Sequence, residues 1–281
     1  MIVVTGATGN VGRSLVRSLA ASGRQVAATS RSIVATDVPQ GVRHRPADLT
    51  DPETLRPAFE GADALFLQNG GPSAHLLDPH AILGVAKAAG ITRVVLLSSQ
   101  GAATRPESAS HGGTARAIED AVKRSALDWT ILRPGGFDSN AYAWAESVRT
   151  RRVVAAPFAD IGLPLIDPSD IAEAGAVTLC EDGHAGRTYE LTGPALVTPR
   201  QAARALGAAL GEPVRFDELT RAEARAGMLQ FMPGPVVDTT LDILGAPTPA
   251  EQRVSPDVEQ LLGRRPRTFA DWAHDHVAAF R

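Results

Sequence analysis

Two hydrophobic rhythms alternate along the first half of the chain. Short apolar runs at Ile2–Thr5, Gln25–Thr29, Ala64–Leu67, Arg93–Ser98 and Trp129–Leu132 predict buried strands, with a shorter one at Val42–Pro46. A strand covered on both faces carries apolar residues without strict alternation. Between these runs, apolar positions recur at helical spacing. In Val11–Ala21 they are Val11, Leu15, Val16 and Leu19, with Gly23 as the stop. Pro52–Phe59 predicts a helix with Asp51 as its N-cap and Pro52 in its first turn. Pro79–Ala89, closed by Gly90, and Ala115–Ser125 predict two more. Repeated strand–helix alternation predicts the α/β class, with a doubly wound parallel sheet and right-handed crossovers.

After Arg133 the texture changes. Strands become sparse and prolines mark many joints. The expected division is a nucleotide-binding domain over 1–133 and a smaller, interleaved lobe over 134–281. A helix within 168–180 is expected to pack back on the main sheet.

The turn after the first strand reads Thr5-Gly6-Ala7-Thr8-Gly9-Asn10-Val11-Gly12. Its three glycines sit between a strand and a helix. The first permits the tight turn, the second lets backbone approach a pyrophosphate, and the third lets helix and strand pack closely. Amides and the dipole at the helix start then bind the anion. The expectation is a dinucleotide held by Gly6, Thr8, Gly9, Asn10, Val11 and Gly12.

The end of the second strand selects the dinucleotide. An acidic residue there suits the ribose hydroxyls of NAD, whereas an arginine suits a 2′-phosphate. The chain has Thr29-Ser30-Arg31-Ser32. Ser30 and Arg31 therefore favour NADP, with NAD still possible, and Arg13 stands close enough in sequence to assist. Asp48-Leu49 falls where the adenine is flanked; Asp48 either accepts from the adenine amino group or caps the turn into the next helix.

Composition narrows the remaining choices. With 281 residues and 44% hydrophobic content, a substantial core is available. A net charge of −3 disfavours a broad nucleic-acid surface, and Arg264, Arg265 and Arg267 make only a short run read as a solvated helix edge. A single cysteine, Cys180, builds neither a disulfide framework nor a zinc site. His274 and His276 point to different helix faces, and His75 and His80 lack carboxylate partners at ligand spacing, so no metal is expected. No apolar run is long enough to span a membrane, and the opening strand does not read as a signal peptide. The expectations are a cytoplasmic location, a small-molecule substrate, and no nucleic-acid or membrane partner; monomer and homodimer both stay open.

Several motifs in order resemble the NmrA-like atypical short-chain dehydrogenase/reductases. They are the glycine turn, Arg31, Asp48-Leu49-Thr50-Asp51-Pro52, Leu97-Ser98-Ser99, Thr130-Ile131-Leu132-Arg133-Pro134-Gly135, Phe137 to Asn140, Asp170-Ile171-Ala172 and Tyr189-Glu190-Leu191-Thr192-Gly193. The resemblance runs to about residue 215. It implies a Rossmann domain with a small C-terminal substrate lobe that closes over NAD(P)H. Family members include quinone, azo and triphenylmethane-dye reductases, and NADPH-sensing regulators without catalysis. The resemblance also implies that Leu67, Gln68 and Asn69 line the nicotinamide ribose. It puts Ser98 and Ser99 below the nicotinamide, with Pro134, Gly135, Gly136 and Phe137 beside it.

Classical superfamily members use a tyrosine acid with a lysine four residues later. Here Tyr142 is followed at that spacing by Glu146, and Tyr189 by Gly193. On the corresponding helix His111 takes the tyrosine place and Ala115 the lysine place. The candidate proton donor is His111, whose unperturbed imidazole titrates near neutrality; Ser99 is the candidate orienting hydroxyl. Trp144, Phe158, Met228, Phe231 and Met232 are candidates for an apolar substrate wall. The expected function is NADPH-dependent reduction of a quinone-like or other conjugated small molecule. The alternatives are a catalytically silent NADP(H) sensor and a biosynthetic tailoring reductase or isomerase.

Overall fold

The computed structural model describes residues 1–68, 71–108 and 112–281, and the side chains of 71–73 are left aside. In chain order the first elements are β1 (Ile2–Thr5), α1 (Asn10–Ala21), β2 (Val26–Ser30), β3 (Arg43–Pro46), α2 (Arg56–Phe59), β4 (Ala64–Gln68), α3 (Pro79–Ala88), β5 (Arg93–Leu97), α4 (Gly101–Thr104), α5 (Gly112–Lys123) and β6 (Asp128–Pro134). Then follow α6 (Ala145–Arg151), β7 (Val153–Pro157), α7 (Pro168–Cys180), β8 (Arg187–Leu191), α8 (Pro199–Leu210), β9 (Arg215–Leu219), α9 (Arg221–Met228), α10 (Gly234–Gly245), α11 (Asp257–Leu262) and α12 (Phe269–Asp275).

Seven strands form one sheet in the order β3-β2-β1-β4-β5-β6-β8. Every ladder from β3 to β6 is parallel. This is the doubly wound Rossmann arrangement read from the strand–helix alternation. Helices cover both faces of such a sheet, so its strands need not alternate; Val3, Val4, Leu65, Val94, Val95 and Leu96 are all fully buried. The edge strand β3 instead reads Arg43-His44-Arg45-Pro46. Charge and proline there discourage pairing with another chain. Strand order reverses about β1, which has β2 on one side and β4 on the other, both parallel to it. At such a switch point the loops leaving the carboxyl ends diverge and leave a crevice.

The chain groups into two units. The first holds Met1–Pro106, Gly112–Pro134 and Pro168–Glu190. Within it α7 packs against α1 and β4, and a Cβ added at Gly175 would lie 3.0 Å from the Phe66 ring and 3.7 Å from Leu15. The second holds residues 107–108, Gly135–Asp167 and Leu191–Arg281. It contains a parallel pair, β7 with β9, that the hydrophobic pattern did not predict. Its main core gathers Val148, Val154, Leu206, Phe269, Trp272 and Phe280, with Trp144 packed against them. A satellite cluster of Ala224, Val237 and Leu241 takes Phe158, Met228 and Met232.

One predicted helix is corrected. Residues 52–59 form a 3-10 turn, Pro52–Leu55, followed by the short α2. Pro57 supplies no N–H to an α-helix begun at Pro52. The Asp51 side chain makes no capping bond; instead the Thr54 hydroxyl donates to the Asp51 carbonyl at 2.6 Å. Among the described residues no helix is long and apolar enough to cross a membrane.

Replacing Gly175 with leucine should force α7 away from Phe66 and Leu15. Overpacking of this kind costs about 1–3 kcal/mol, to be read from the urea unfolding midpoint; an unchanged midpoint would refute this packing.

Candidate functional site

The glycine turn is built by contact. Gly6 has φ +60°, and a Cβ there would fall 2.0 Å from the Gln68 side-chain amide. A Cβ at Gly12 would lie 2.2 Å from the Gly6 carbonyl oxygen, so only a hydrogen at this position lets α1 sit on the turn. Gly9 is extended (φ −78°, ψ 174°) and serves as N-cap without a side-chain hydrogen bond. Its N–H donates to the Gly6 carbonyl at 2.9 Å, while the Ala7 N–H donates to Thr29 on β2 at 3.1 Å. The first turn of α1 carries no acidic side chain. Its positive dipole end therefore has no local carboxylate to neutralise it, which suits a diphosphate.

A cavity opens beside this turn in the first unit. From the turn come Thr5, Gly6, Thr8 and Gly9; from the end of β2 come Thr29, Ser30, Arg31 and Ser32. The segment after β3 adds Ala47, Asp48, Leu49 and Thr50, and Leu55, Gln68 and Leu77 close the wall. Arg31 is exposed and forms no ion pair among the described residues. The Thr8 hydroxyl donates to Ser30 Oγ at 3.2 Å, and Arg13 Nη2 donates to the Thr8 carbonyl at 3.2 Å. Asp48 Oδ1 accepts from both the N–H and the hydroxyl of Thr50, each at 2.9 Å. These two bonds hold the Asp48 carboxyl below its ordinary range; burial opposes them, and the Arg31 charge adds to them. One oxygen of Asp48 thus shapes its own turn.

The cavity brings together Gly6, Thr8, Gly9, Ser30, Arg31, Asp48, Leu49 and Gln68 of the residues expected to hold a cofactor. Asn10, Val11 and Gly12 form the start of α1. Leu67 lies in the sheet core with 1% exposure. Pro134 ends β6. Gly135 and Phe137 belong to the second unit, where the Gly135 N–H donates to Leu191 at 3.0 Å. Asn69 and His111 lie outside the described residues. Sequence reasoning missed Thr5, Thr29, Ser32, Ala47, Thr50, Leu55 and Leu77. Thr5 and Thr29 pair in register at the carboxyl ends of β1 and β2, a position the parallel topology itself marks. Leu77 carries no local signal.

Ser98 and Ser99 separate. The Ser99 hydroxyl accepts the Gly101 N–H at 3.1 Å. Ser98 is buried and donates to Glu119 Oε1 at 2.7 Å. Glu119, 1% exposed, also takes Arg133 in a two-pronged pair at 2.8 and 2.6 Å, and Lys123 at 3.3 Å. Burial is the largest influence on this carboxyl and pushes its pKa up. The bonds from Arg133 and Ser98, with the charges of Arg133 and Lys123, together outweigh burial and hold it below the ordinary range. The same bonds raise the Arg133 guanidinium. Both tyrosines are engaged elsewhere: Tyr142 meets Trp272 edge-on at 5.2 Å, and the Tyr189 hydroxyl bonds His184 Nδ1 at 2.8 Å.

The proposed substrate wall also divides. Phe158, Met228 and Met232 meet in the satellite cluster, Trp144 joins the other core, and Phe231 is 85% exposed.

Comparison with known proteins gives concordant results. An NAD(P)H-binding family model matches residues 6–158. The chain is 35% identical over 282 residues to the (4-alkanoyl-5-oxo-2,5-dihydrofuran-3-yl)methyl phosphate reductase of Streptomyces griseus, covering 100% of this chain and 99% of that one. It is 31% identical to the NAD(P)H azoreductase of Xenophilus azovorans, with 100% and 99% covered. Among solved structures, the NADPH complex of the NADPH-dependent quinone oxidoreductase QOR2 from Escherichia coli superposes with a TM-score of 0.81 at 27% identity, over 98% of this chain and 99% of that one.

Two outcomes follow from this geometry. Gly12→Val should weaken NADPH binding more than tenfold in a calorimetric titration, and retained affinity would contradict the contact between helix and turn. The folded Glu119 pKa lies below that of an unfolded glutamate, about 4.3. Its stabilisation is therefore present above that value and is lost as pH falls through the folded pKa. The stability gap between wild type and Glu119→Gln should be largest near neutrality and narrow below about pH 4; a gap that stays constant in denaturant titrations across pH would refute the charged pair.

Proposed function

The chain belongs to the NAD(P)H-binding family whose model it matches and is an NAD(P)H-dependent oxidoreductase, and from that premise we propose that it reduces a quinone-like or other conjugated small molecule with NADPH. Bound NADPH supplies the hydride. The residues of the cavity divide the work of holding it. Amides at the start of α1 take the diphosphate, as the bare helix end and the glycine contacts favour. Arg31, with Ser30 and Ser32 beside it, takes the 2′-phosphate. Leu49 and Leu77 flank the adenine, and Asp48 accepts from its amino group. Ser99 orients the acceptor, Pro134 and Gly135 stand beside the nicotinamide, and His111 donates the proton.

The observation that carries the choice of NADPH is Arg31, a guanidinium with no ion pair among the described residues, on the wall of a cavity that also holds the glycine turn. The choice of acceptor rests on what the chain lacks in sequence. Its only lysines are Lys87 and Lys123, and neither stands four residues after a tyrosine. A simple ketone needs a general acid positioned at the reacting oxygen. A conjugated acceptor spreads the incoming charge onto a distant heteroatom, where a donor placed elsewhere or solvent protonates it. The names of the two relatives describe reducible conjugated groups of this kind, an acyl-substituted unsaturated lactone and an azo bond.

Arg31→Ala should weaken NADPH binding by about 1.5–3 kcal/mol, the value of a charge-assisted contact, roughly ten- to a hundredfold, while NADH affinity changes less than threefold. Steady NADPH oxidation is expected with at least one of a panel of naphthoquinones, azo dyes and acyl butenolides. Tight NADPH binding with no turnover across that panel would favour a sensor and remove the catalytic reading.

A further inference from the structure

We propose that Glu119 is a positioning residue: its carboxylate clamps the carboxyl ends of β5 and β6 in the geometry that the nicotinamide end of the site requires. The inference rests on the reading that Ser99 and Pro134 stand beside the nicotinamide.

Glu119 sits on α5, yet its two oxygens are occupied mainly by the sheet. Oε1 accepts from Ser98, immediately after β5, and from Arg133 Nε on β6, at 2.7 and 2.8 Å. Oε2 accepts from Arg133 Nη2 at 2.6 Å and from Lys123, one helical turn along α5, at 3.3 Å. The same strand ends are also stitched by backbone. The Ser98 N–H donates to Leu132 at 2.8 Å and the Gln100 N–H to Pro134 at 2.9 Å. One buried carboxylate therefore ties together the helix, the turn that carries Ser99 and the last residues of β6.

Stability gives little reason for this arrangement. Taking a carboxylate and a guanidinium out of water is costly, and apolar replacements of a buried pair are often neutral or stabilising. Apolar residues already cover β5 and β6, since Val94, Val95, Leu96, Ile131 and Leu132 are fully or almost fully buried. What a two-pronged ion pair adds is direction. It sets the angle between the two strand ends and pulls the Ser98 hydroxyl inward, which leaves Ser99 as the serine of the pair available to a ligand.

The test uses Glu119→Gln and the charge-free double variant Glu119→Leu with Arg133→Leu, each as the full chain. Adenosine 2′,5′-bisphosphate reports the adenine half of the site, and its affinity should stay within twofold of wild type. The fluorescence anisotropy of bound NADPH reports how rigidly the nicotinamide is held. It should fall toward the value of the free coenzyme, and kcat for NADPH oxidation should drop at least tenfold with KM for NADPH changed less than threefold. The unfolding midpoint of the double variant should be unchanged or raised, which a purely structural role does not give. Wild-type anisotropy and kcat in either variant, with bisphosphate binding retained, would overturn the proposal. If the double variant does not fold, Glu119→Gln and Glu119→Asp make the same comparison. Ser99→Leu separates the two levels of inference. If it alters neither anisotropy nor kcat, the placement of the nicotinamide is wrong and the proposal falls with it; if it alters both while the Glu119 variants do not, only the positioning role is lost.

Discussion

The contact between Gly12 and the Gly6 carbonyl sets everything that follows in the first unit. A helix can rest on the strand that precedes it only if no side chain intervenes, and here even a methyl group would overlap backbone. The close seat puts the start of α1 directly on the turn, beside the carboxyl end of β1. Because β2 and β4 leave β1 on opposite sides, the crevice opens at the same point. The anion site is thus a consequence of packing and topology together.

Around that centre the chain distributes charge with little redundancy. The first turn of α1 carries no carboxylate, and Arg31 enters no ion pair among the described residues. Asp48, the one acid on the cavity wall, is held ionised by its own turn with help from Arg31. The end of β2 thus offers the cavity a guanidinium and hydroxyls, from Arg31, Ser30 and Ser32, rather than the acidic side chain that suits a bare ribose. At the other end of the sheet's carboxyl edge the pattern inverts, with an acid buried at Glu119 and cations gathered round it.

Local signals made much of this legible in the sequence. The runs at Ile2–Thr5 and Arg93–Leu97 are continuous because both faces of the sheet are covered, and the helical stripe Val11, Leu15, Val16, Leu19 is the buried face of α1. The glycine turn and Arg31 are close in sequence to the elements they serve, so spacing alone placed them. Contacts between distant segments were less readable. The β7–β9 pair joins strands some sixty residues apart in which Pro157, Asp217 and Glu218 blur the pattern. Leu77 reaches the cavity from the connection just after a 3-10 turn, Gly71–Leu76, where no periodicity points to it. Leu67 and Gln68 divide: Gln68 lines the cavity while Leu67 packs in the core, because successive strand residues face opposite ways. The Ser98–Glu119–Arg133 cluster draws on three elements, and nothing in any one of them announces the others.

Hydrogen exchange of the full chain, measured by mass spectrometry with and without saturating NADPH, tests the central claim most directly. The amides of residues 7–13 should gain the strongest protection, followed by those of 29–32 and 48–50. Protection absent from residues 7–13, or concentrated in a different part of the sheet while NADPH is demonstrably bound, would contradict the account.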